Sequence, residues 1–223
     1  MTFSIAARCA RTGELGCAVV SSSICVTSRC AFVSPDGAVL TQNVTQPALG
    51  LQALALLAEG LDPQRAIARL LQDEPYPQWR QLSVIDAHGR SAAFDGERAL
   101  GVVGRSLGQD CLAAGNLLAD AGVPEAMVAA FERSTGALAE RLAVALEAGL
   151  AHGGEAGPVH SAGIKVARPG YAWPVVDLRV DWSDAPIAGV RELWTRYALE
   201  VEDYLTRANA PDAAPSYGVP GDD

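Results

Sequence analysis

Hydrophobic and polar residues alternate at the start of the chain, and this spacing predicts β-structure. TFSIAAR (2–8) is followed by a turn-like RTGELG and the apolar run CAVVSSS (17–23), which together predict a hairpin that begins at residue 2. The segment 23–43 carries β-branched residues on both sides of SPDG, a strong turn signal, and predicts two more strands. The first 43 residues are therefore expected to be mostly sheet.

After Pro47 the period changes to that of a helix. LGLQALALLAEGL (49–61) predicts one helix, and DPQRAIARLLQD (62–73) predicts another with Asp62 as N-cap. RQLSVIDAHGRSAAFDG (80–96) then alternates on both sides of AHG, which predicts a second hairpin.

The second half of the chain repeats the grouping of helices and strands. Segment 108–122 has no regular period, 123–134 and 136–154 predict a pair of helices, 160–168 and 173–182 predict strands, and 185–208 predicts one late helix. This order favours an α+β fold with antiparallel sheets in the middle and helices on the outer faces. We expect a single domain over residues 1–207 and a Pro/Gly-rich C-terminal tail over 208–223.

Composition narrows the class of protein. The net charge of −9 and the absence of a Lys/Arg cluster argue against a nucleic-acid partner. No apolar run reaches the length of a membrane span and no secretory signal begins the chain, so no membrane partner is expected and the location is expected to be cytoplasmic. Five cysteines without CxxC and three histidines without ligand spacing predict no metal site and no other cofactor.

Thr2 is the residue with the most informative position. Initiator methionine is normally removed before a small residue, and Thr2 would then carry a hydroxyl and a free α-amine on one residue. An α-amine with an ordinary pKa of about 7.7 to 8.0 can serve as the base that activates such a hydroxyl. The alternative is that Thr2 only starts a strand, as β-branched residues often do.

A resemblance to a known family bears on that choice. Stretches such as MTFSIAAR, LTQNVT, RQLSVIDAHGRSAAFDG, AAGNLLA and APSYGVPGD, spread from residue 2 to the tail, resemble the family called domain of unknown function 1028. That family is placed with the N-terminal nucleophile (Ntn) hydrolases. The resemblance implies their four-layer αββα sandwich, hydrolysis of an amide bond, and a nucleophile at the start of the first strand.

An amide hydrolase also needs donors for the oxyanion and groups that hold the substrate. Asn116, placed on a turn beside Gly115, is the candidate donor, and a simple Asx-turn is its alternative. The candidate substrate-binding residues are polar and lie at predicted strand ends or entries, where structural roles compete: Ser21, Ser22, Gln42, Asn43, Arg80, Asp95 and His160.

The sequence thus predicts an Ntn-type amidohydrolase that cleaves a small amide, peptide-like or N-acyl compound with Thr2 as nucleophile. Its hydroxyl must then lie beside a space that a substrate can fill. The rival from another class is a non-catalytic small-molecule binding or assembly protein in which Met1 stays in place. A third interpretation makes a cysteine the nucleophile. The late aromatic helix and the tail also suggest a homodimer.

Overall fold

The fold is α+β, with two antiparallel sheets packed with helices. A computed structural model describes residues 1–221. Within that range the six-stranded sheet has the order β10-β9-β2-β1-β8-β7 and the four-stranded sheet the order β3-β4-β5-β6.

The strands are β1 Thr2–Arg8, β2 Leu15–Ser21, β3 Ala31–Ser34, β4 Gly37–Asn43, β5 Arg80–Asp86, β6 Ser91–Asp95, β7 Val102–Gly108, β8 Cys111–Leu118, β9 Ser161–Ala167 and β10 Pro174–Val180. The helices are α1 Val26–Cys30, α2 Pro47–Ala58, α3 Pro63–Asp73, α4 Val123–Arg133, α5 Leu138–Ala151, α6 Pro186–Tyr197 and α7 Val201–Asn209.

Strand alternation separates the two faces of the six-stranded sheet. On β1, Phe3 and Ile5 belong to the apolar cluster that includes residues of α4, α5 and α6. Ala6 belongs instead to a cluster shared with β4 and β5, so the other face of β1 is turned toward the four-stranded sheet. Side chains on this face of β1 therefore point into the space between the two sheets.

Helices α2 and α3 cover the face of the four-stranded sheet that is turned away from β1. The Asp62 side chain accepts a hydrogen bond of 2.9 Å from the Arg65 backbone N–H, which confirms the predicted N-cap of α3. Ile67 of α3 and Leu49 of α2 pack in one cluster with Leu82 of β5. Their apolar faces bury the outer side of this sheet.

Three segments differ from the sequence-based prediction. The late helix predicted over 185–208 is two helices, because the Leu199 and Glu200 N–H groups bond three residues back in a tightened turn that ends α6. Segment 108–122, for which the spacing indicated no regular element, contains β8 and the turn that joins it to β7, with Asp110 at φ 55°. The predicted strands within 23–43 are preceded by the short helix α1, which follows Cys25 in a left-handed conformation.

The C-terminal segment packs back on α7. Arg207 donates a hydrogen bond of 3.1 Å to the Pro215 carbonyl, and its guanidinium lies 3.9 Å from the centroid of the Tyr217 ring. The last two positions of the predicted tail, 222 and 223, lie outside the described residues. None of the helices in residues 1–221 is long and apolar enough to cross a membrane.

Candidate active site

The space between the two sheets is apolar at one end and polar at the other. The apolar end contains Ala6, Val19, Leu40, Ile85 and Leu112. At the other end the residues of the same strand faces are polar and buried: Thr2, Ser4, Ser21, Gln42, Gln81 and Asn116. They meet because the strand pairing sets Thr2 opposite Asn116 and Gln42 opposite Gln81. We call these six residues the inter-sheet polar cluster.

Gln81 is the centre of the hydrogen bonds in this cluster. Its Oε1 accepts from Gln42 Nε2 at 2.7 Å and from Asn116 Nδ2 at 3.0 Å. Its Nε2 donates to Asp95 Oδ1 at 2.8 Å and to the Gly115 carbonyl at 3.0 Å. The amide thus ties together strands of both sheets, and it fixes the orientation of the residue opposite Thr2.

Thr2 is 5% exposed, and its hydroxyl is covered by the residue before it. Its Oγ1 donates to the Met1 carbonyl and lies 3.4 Å from Ser21 Oγ. Ser21 Oγ donates to the same Met1 carbonyl at 2.5 Å and lies 2.9 Å from Ser23 Oγ. The space next to the Thr2 hydroxyl is therefore occupied by Met1 while that residue is present.

Asn116 lies in strand β8 and not on the predicted turn. The ladder with β1 continues to this residue, which pairs with Thr2, so its amide is buried between the sheets. Nδ2 donates to Gln81, whereas Oδ1 has no hydrogen-bond partner within residues 1–221. A buried acceptor without a partner is costly and rare in native structures, so Oδ1 is a candidate for a contact with a ligand.

Glu155 is a residue that sequence reasoning missed. It follows α5 in the glycine-rich segment GGEAG, forms a β-bridge with Leu118 and is 4% exposed. Both of its carboxylate oxygens lie 3.2 Å from the Ser22 backbone nitrogen. Burial raises the pKa of Glu155 to about 7, while the nearby N-terminal ammonium acts in the opposite direction.

The raised pKa of Glu155 makes stability depend on pH. Between its ordinary pKa of 4.5 and about 7 the folded state holds a proton that the unfolded chain has lost, so stability falls as pH rises through this window. In chains that retain Met1, we expect Glu155→Gln, which keeps an acceptor for Ser22, to be more stable than the unsubstituted protein at pH 8 by on the order of 3 kcal/mol. The difference should vanish near pH 4. Urea denaturation of both proteins at the two pH values measures it, and an equal difference at both would contradict the assignment.

The predicted substrate-binding residues divide into two groups. Ser21 and Gln42 lie in the inter-sheet polar cluster, Asp95 contacts it through Gln81, and Ser22 binds Glu155. The side chains of Asn43, Arg80 and His160 make their contacts with residues outside this cluster, although the His160 backbone N–H donates to the Ser21 carbonyl at 2.8 Å.

These three residues have structural partners of their own. Asn43 donates at 2.6 Å to the Trp79 carbonyl, and Arg80 pairs with Glu74 at 2.9 Å, both partners being buried. The ring of His160 stacks on Trp182 with centroids 4.4 Å apart. Each of these contacts joins neighbouring loops or strand ends.

Three of the five cysteines are poor candidates for a nucleophile. Burial raises the pKa of Cys17 to about 12, of Cys30 to about 11 and of Cys111 to about 12. A thiol attacks as its thiolate, which is scarce at neutral pH under such conditions. Among residues 1–221 no group of three or more His, Cys, Asp or Glu side chains is placed to hold a metal ion.

A separate cleft of about 440 Å³ lies between α2 and α3. It is lined by Leu49, Leu56, Arg69 and Leu70, among others, and lies on the side of the four-stranded sheet that is turned away from Thr2. The cleft is thus distinct from the inter-sheet polar cluster.

Comparison with known proteins identifies relatives. The chain is similar to protein SPO2555 from Silicibacter pomeroyi, whose crystal structure superposes with a TM-score of 0.84 at 29% identity, covering 91% of this chain and 89% of that one. The comparison with curated proteins gave no match. The model of a family of unknown function, DUF1028, matches residues 2–190. The chain therefore belongs to the DUF1028 family.

Proposed function

We propose that this protein is an N-terminal-nucleophile amidohydrolase built on a four-layer αββα sandwich, with Thr2 as its nucleophile after removal of Met1. Its substrate is a small amide, peptide-like or N-acyl compound. The observation that carries the proposal is the position of the Thr2 hydroxyl. Thr2 is the first residue of a central strand, and its hydroxyl lies at the polar end of the space between the sheets. There it contacts the Met1 carbonyl and the Ser21 hydroxyl.

The groups around Thr2 match the steps of amide hydrolysis. The freed α-amine takes the hydroxyl proton, directly or through a water, and Oγ1 attacks the carbonyl carbon of the substrate. Ser21 donates to the carbonyl oxygen at this place when Met1 fills it, and the same hydroxyl can stabilise an oxyanion. Asn116 uses one amide N–H on Gln81 and carries a second for the same purpose. Water then hydrolyses the ester.

Removal of Met1 serves this chemistry in two ways. It converts the Thr2 nitrogen from an amide, which cannot act as a base, into an amine, and it empties the space next to Oγ1. If Met1 stays, the hydroxyl remains covered, and the alternative of a non-catalytic binding or assembly protein is favoured.

Intact-mass spectrometry combined with a turnover screen tests the proposal. We expect the purified protein to lack the mass of one methionine residue and to hydrolyse members of a panel of small amides and N-acyl compounds. The matched control is a chain in which Thr2→Val prevents attack while keeping the β-branched shape, and it should show no turnover. A retained Met1, or a processed chain that hydrolyses no member of the panel, would speak for the non-catalytic alternative.

A further inference from the structure

Met1 occupies the place where the acyl part of a substrate would lie. The register sets Thr2 opposite Asn116 and Phe3 opposite Val20, so Met1 continues β1 one step beyond the paired residues, toward Ser22 and Leu117. Its carbonyl oxygen accepts from the hydroxyls of Thr2 and Ser21. In an ester with the Thr2 oxygen, the acyl carbonyl oxygen would keep the Ser21 hydroxyl as its donor.

The side chain of Met1 lies over a glycine. A Cβ atom built on Gly157 would be 3.5 Å from Met1 Cε and 3.8 Å from its Sδ. The space left by Met1 is therefore bounded by Gly157 on one side and by the Ser21 and Ser23 hydroxyls on another. With Met1 itself 38% exposed, this space opens to solvent.

Glu155 is the charged residue beside this space. Its carboxylate accepts from the Ser22 N–H. When the register of β1 and β2 is continued, Ser22 lies opposite Met1, so Glu155 lies beside Met1 and not beside Thr2. None of the ion pairs within residues 1–221 involves Glu155, although it is almost completely buried. The α-ammonium of Met1 acts on the pKa of this carboxyl group electrostatically, but it lies too far away to form an ion pair with it. A buried carboxylate that has no ion-pair partner is complementary to a cation that arrives with a ligand.

We propose that the mature site selects acyl groups that carry a primary α-ammonium, and that Glu155 binds this ammonium. The substrate class is then an aminoacyl amide or a short peptide with a free N-terminus. This inference rests on the proposed hydrolysis and specifies its substrate.

The reaction on such a substrate balances without any co-reactant except water. The Thr2 oxygen forms an ester with the aminoacyl carbon, the C–N bond breaks, and the proton taken by the Thr2 amine passes to the leaving amine. Water cleaves the ester, releases a free amino acid and restores the hydroxyl. Glu155 holds the ammonium throughout and does not enter the bond changes.

A binding experiment tests the selectivity without depending on turnover. The probes are L-methioninamide and N-acetyl-L-methioninamide, which differ by the ammonium, and the protein is the mature Thr2→Ala chain freed of a cleavable leader. We expect calorimetry at pH 7.5 to show L-methioninamide binding at least tenfold more tightly than its acetylated form. Glu155→Gln in the same background should remove that preference and leave the affinity for the acetylated probe within about twofold.

The outcomes separate this inference from the proposed function. Equal affinities for the two probes, no binding of L-methioninamide, or a preference that survives Glu155→Gln in a variant that melts cooperatively would overturn it. An equal loss of both affinities would place Glu155 on another part of the site and overturn it as well. Selective binding by a chain that hydrolyses no amide would instead reject the hydrolytic function and retain the ligand class.

Discussion

Replacing Thr2 with alanine is expected to abolish amide hydrolysis by the mature chain. Alanine retains the α-amine but has no hydroxyl to attack with, so kcat/KM should fall by roughly 10⁴-fold or more, as it does when other enzymes lose a nucleophile. Thr2→Ser is the matched variant: it keeps the oxygen and should keep turnover within about tenfold of the wild type. Initial rates on any substrate found in the amide screen measure both effects.

The alanine variant should still fold. Thr2 contributes a small side chain whose partners are Met1 and Ser21, so its loss leaves the apolar clusters intact. A cooperative melt close to that of the wild type would exclude unfolding as the cause of inactivity. Turnover that survives in the alanine variant and disappears with iodoacetamide would assign the nucleophile to a cysteine instead; Cys25, which is half-buried, is the first to test.

Replacing Phe3 with alanine is expected to have the largest effect on stability. The Phe3 ring is fully buried, and it lies against one glycine in the last turn of α5 and another that follows this helix. A Cβ atom built on Gly149 would be 2.9 Å from the ring, and one on Gly154 would be 3.2 Å from it. The ring therefore fills a close-fitting site, and its loss leaves a cavity that costs about 3–5 kcal/mol.

For a chain of this length that cost corresponds to a fall in Tm of roughly 6 to 20 °C. Phe3→Leu is the control because it keeps most of the volume, and it should cost less than about 1.5 kcal/mol. Thermal melts of the three proteins measure the difference. A Tm for Phe3→Ala no lower than that for Phe3→Leu would mean that the site collapses around the smaller side chain.

Local patterns were sufficient to predict most elements of the fold. The alternation in 2–8 and 80–96 and the cap at Asp62 act over a few residues, and the strands β1, β5 and β6 and helix α3 occur where they indicated. The break between α6 and α7 was missed because no proline or glycine marks it; the turn at Leu199 closes on hydrogen bonds within the chain. Such an end depends on what the helix faces pack against.

The candidate site was only partly predictable because its residues are distant in sequence. Thr2 and Asn116 meet through the pairing of β1 with β8, which spacing alone does not reveal. The alternation in 80–96 is typical of a strand with one exposed face, yet Gln81 is completely buried because the six-stranded sheet covers it. Glu155 lies in a glycine-rich loop with no periodic signal, and its burial comes from the ends of β2 and β8.

The buried thiols have a practical consequence for measurements on this protein. Cys17, Cys30 and Cys111 are shielded by the folded chain, and their pKa values are raised well above that of a free cysteine. An alkylating reagent therefore reaches them only during opening events that separate the layers. The labelling rate of these three sulfurs reports how often the molecule opens, and it can be followed in the natural sequence without introducing a new cysteine.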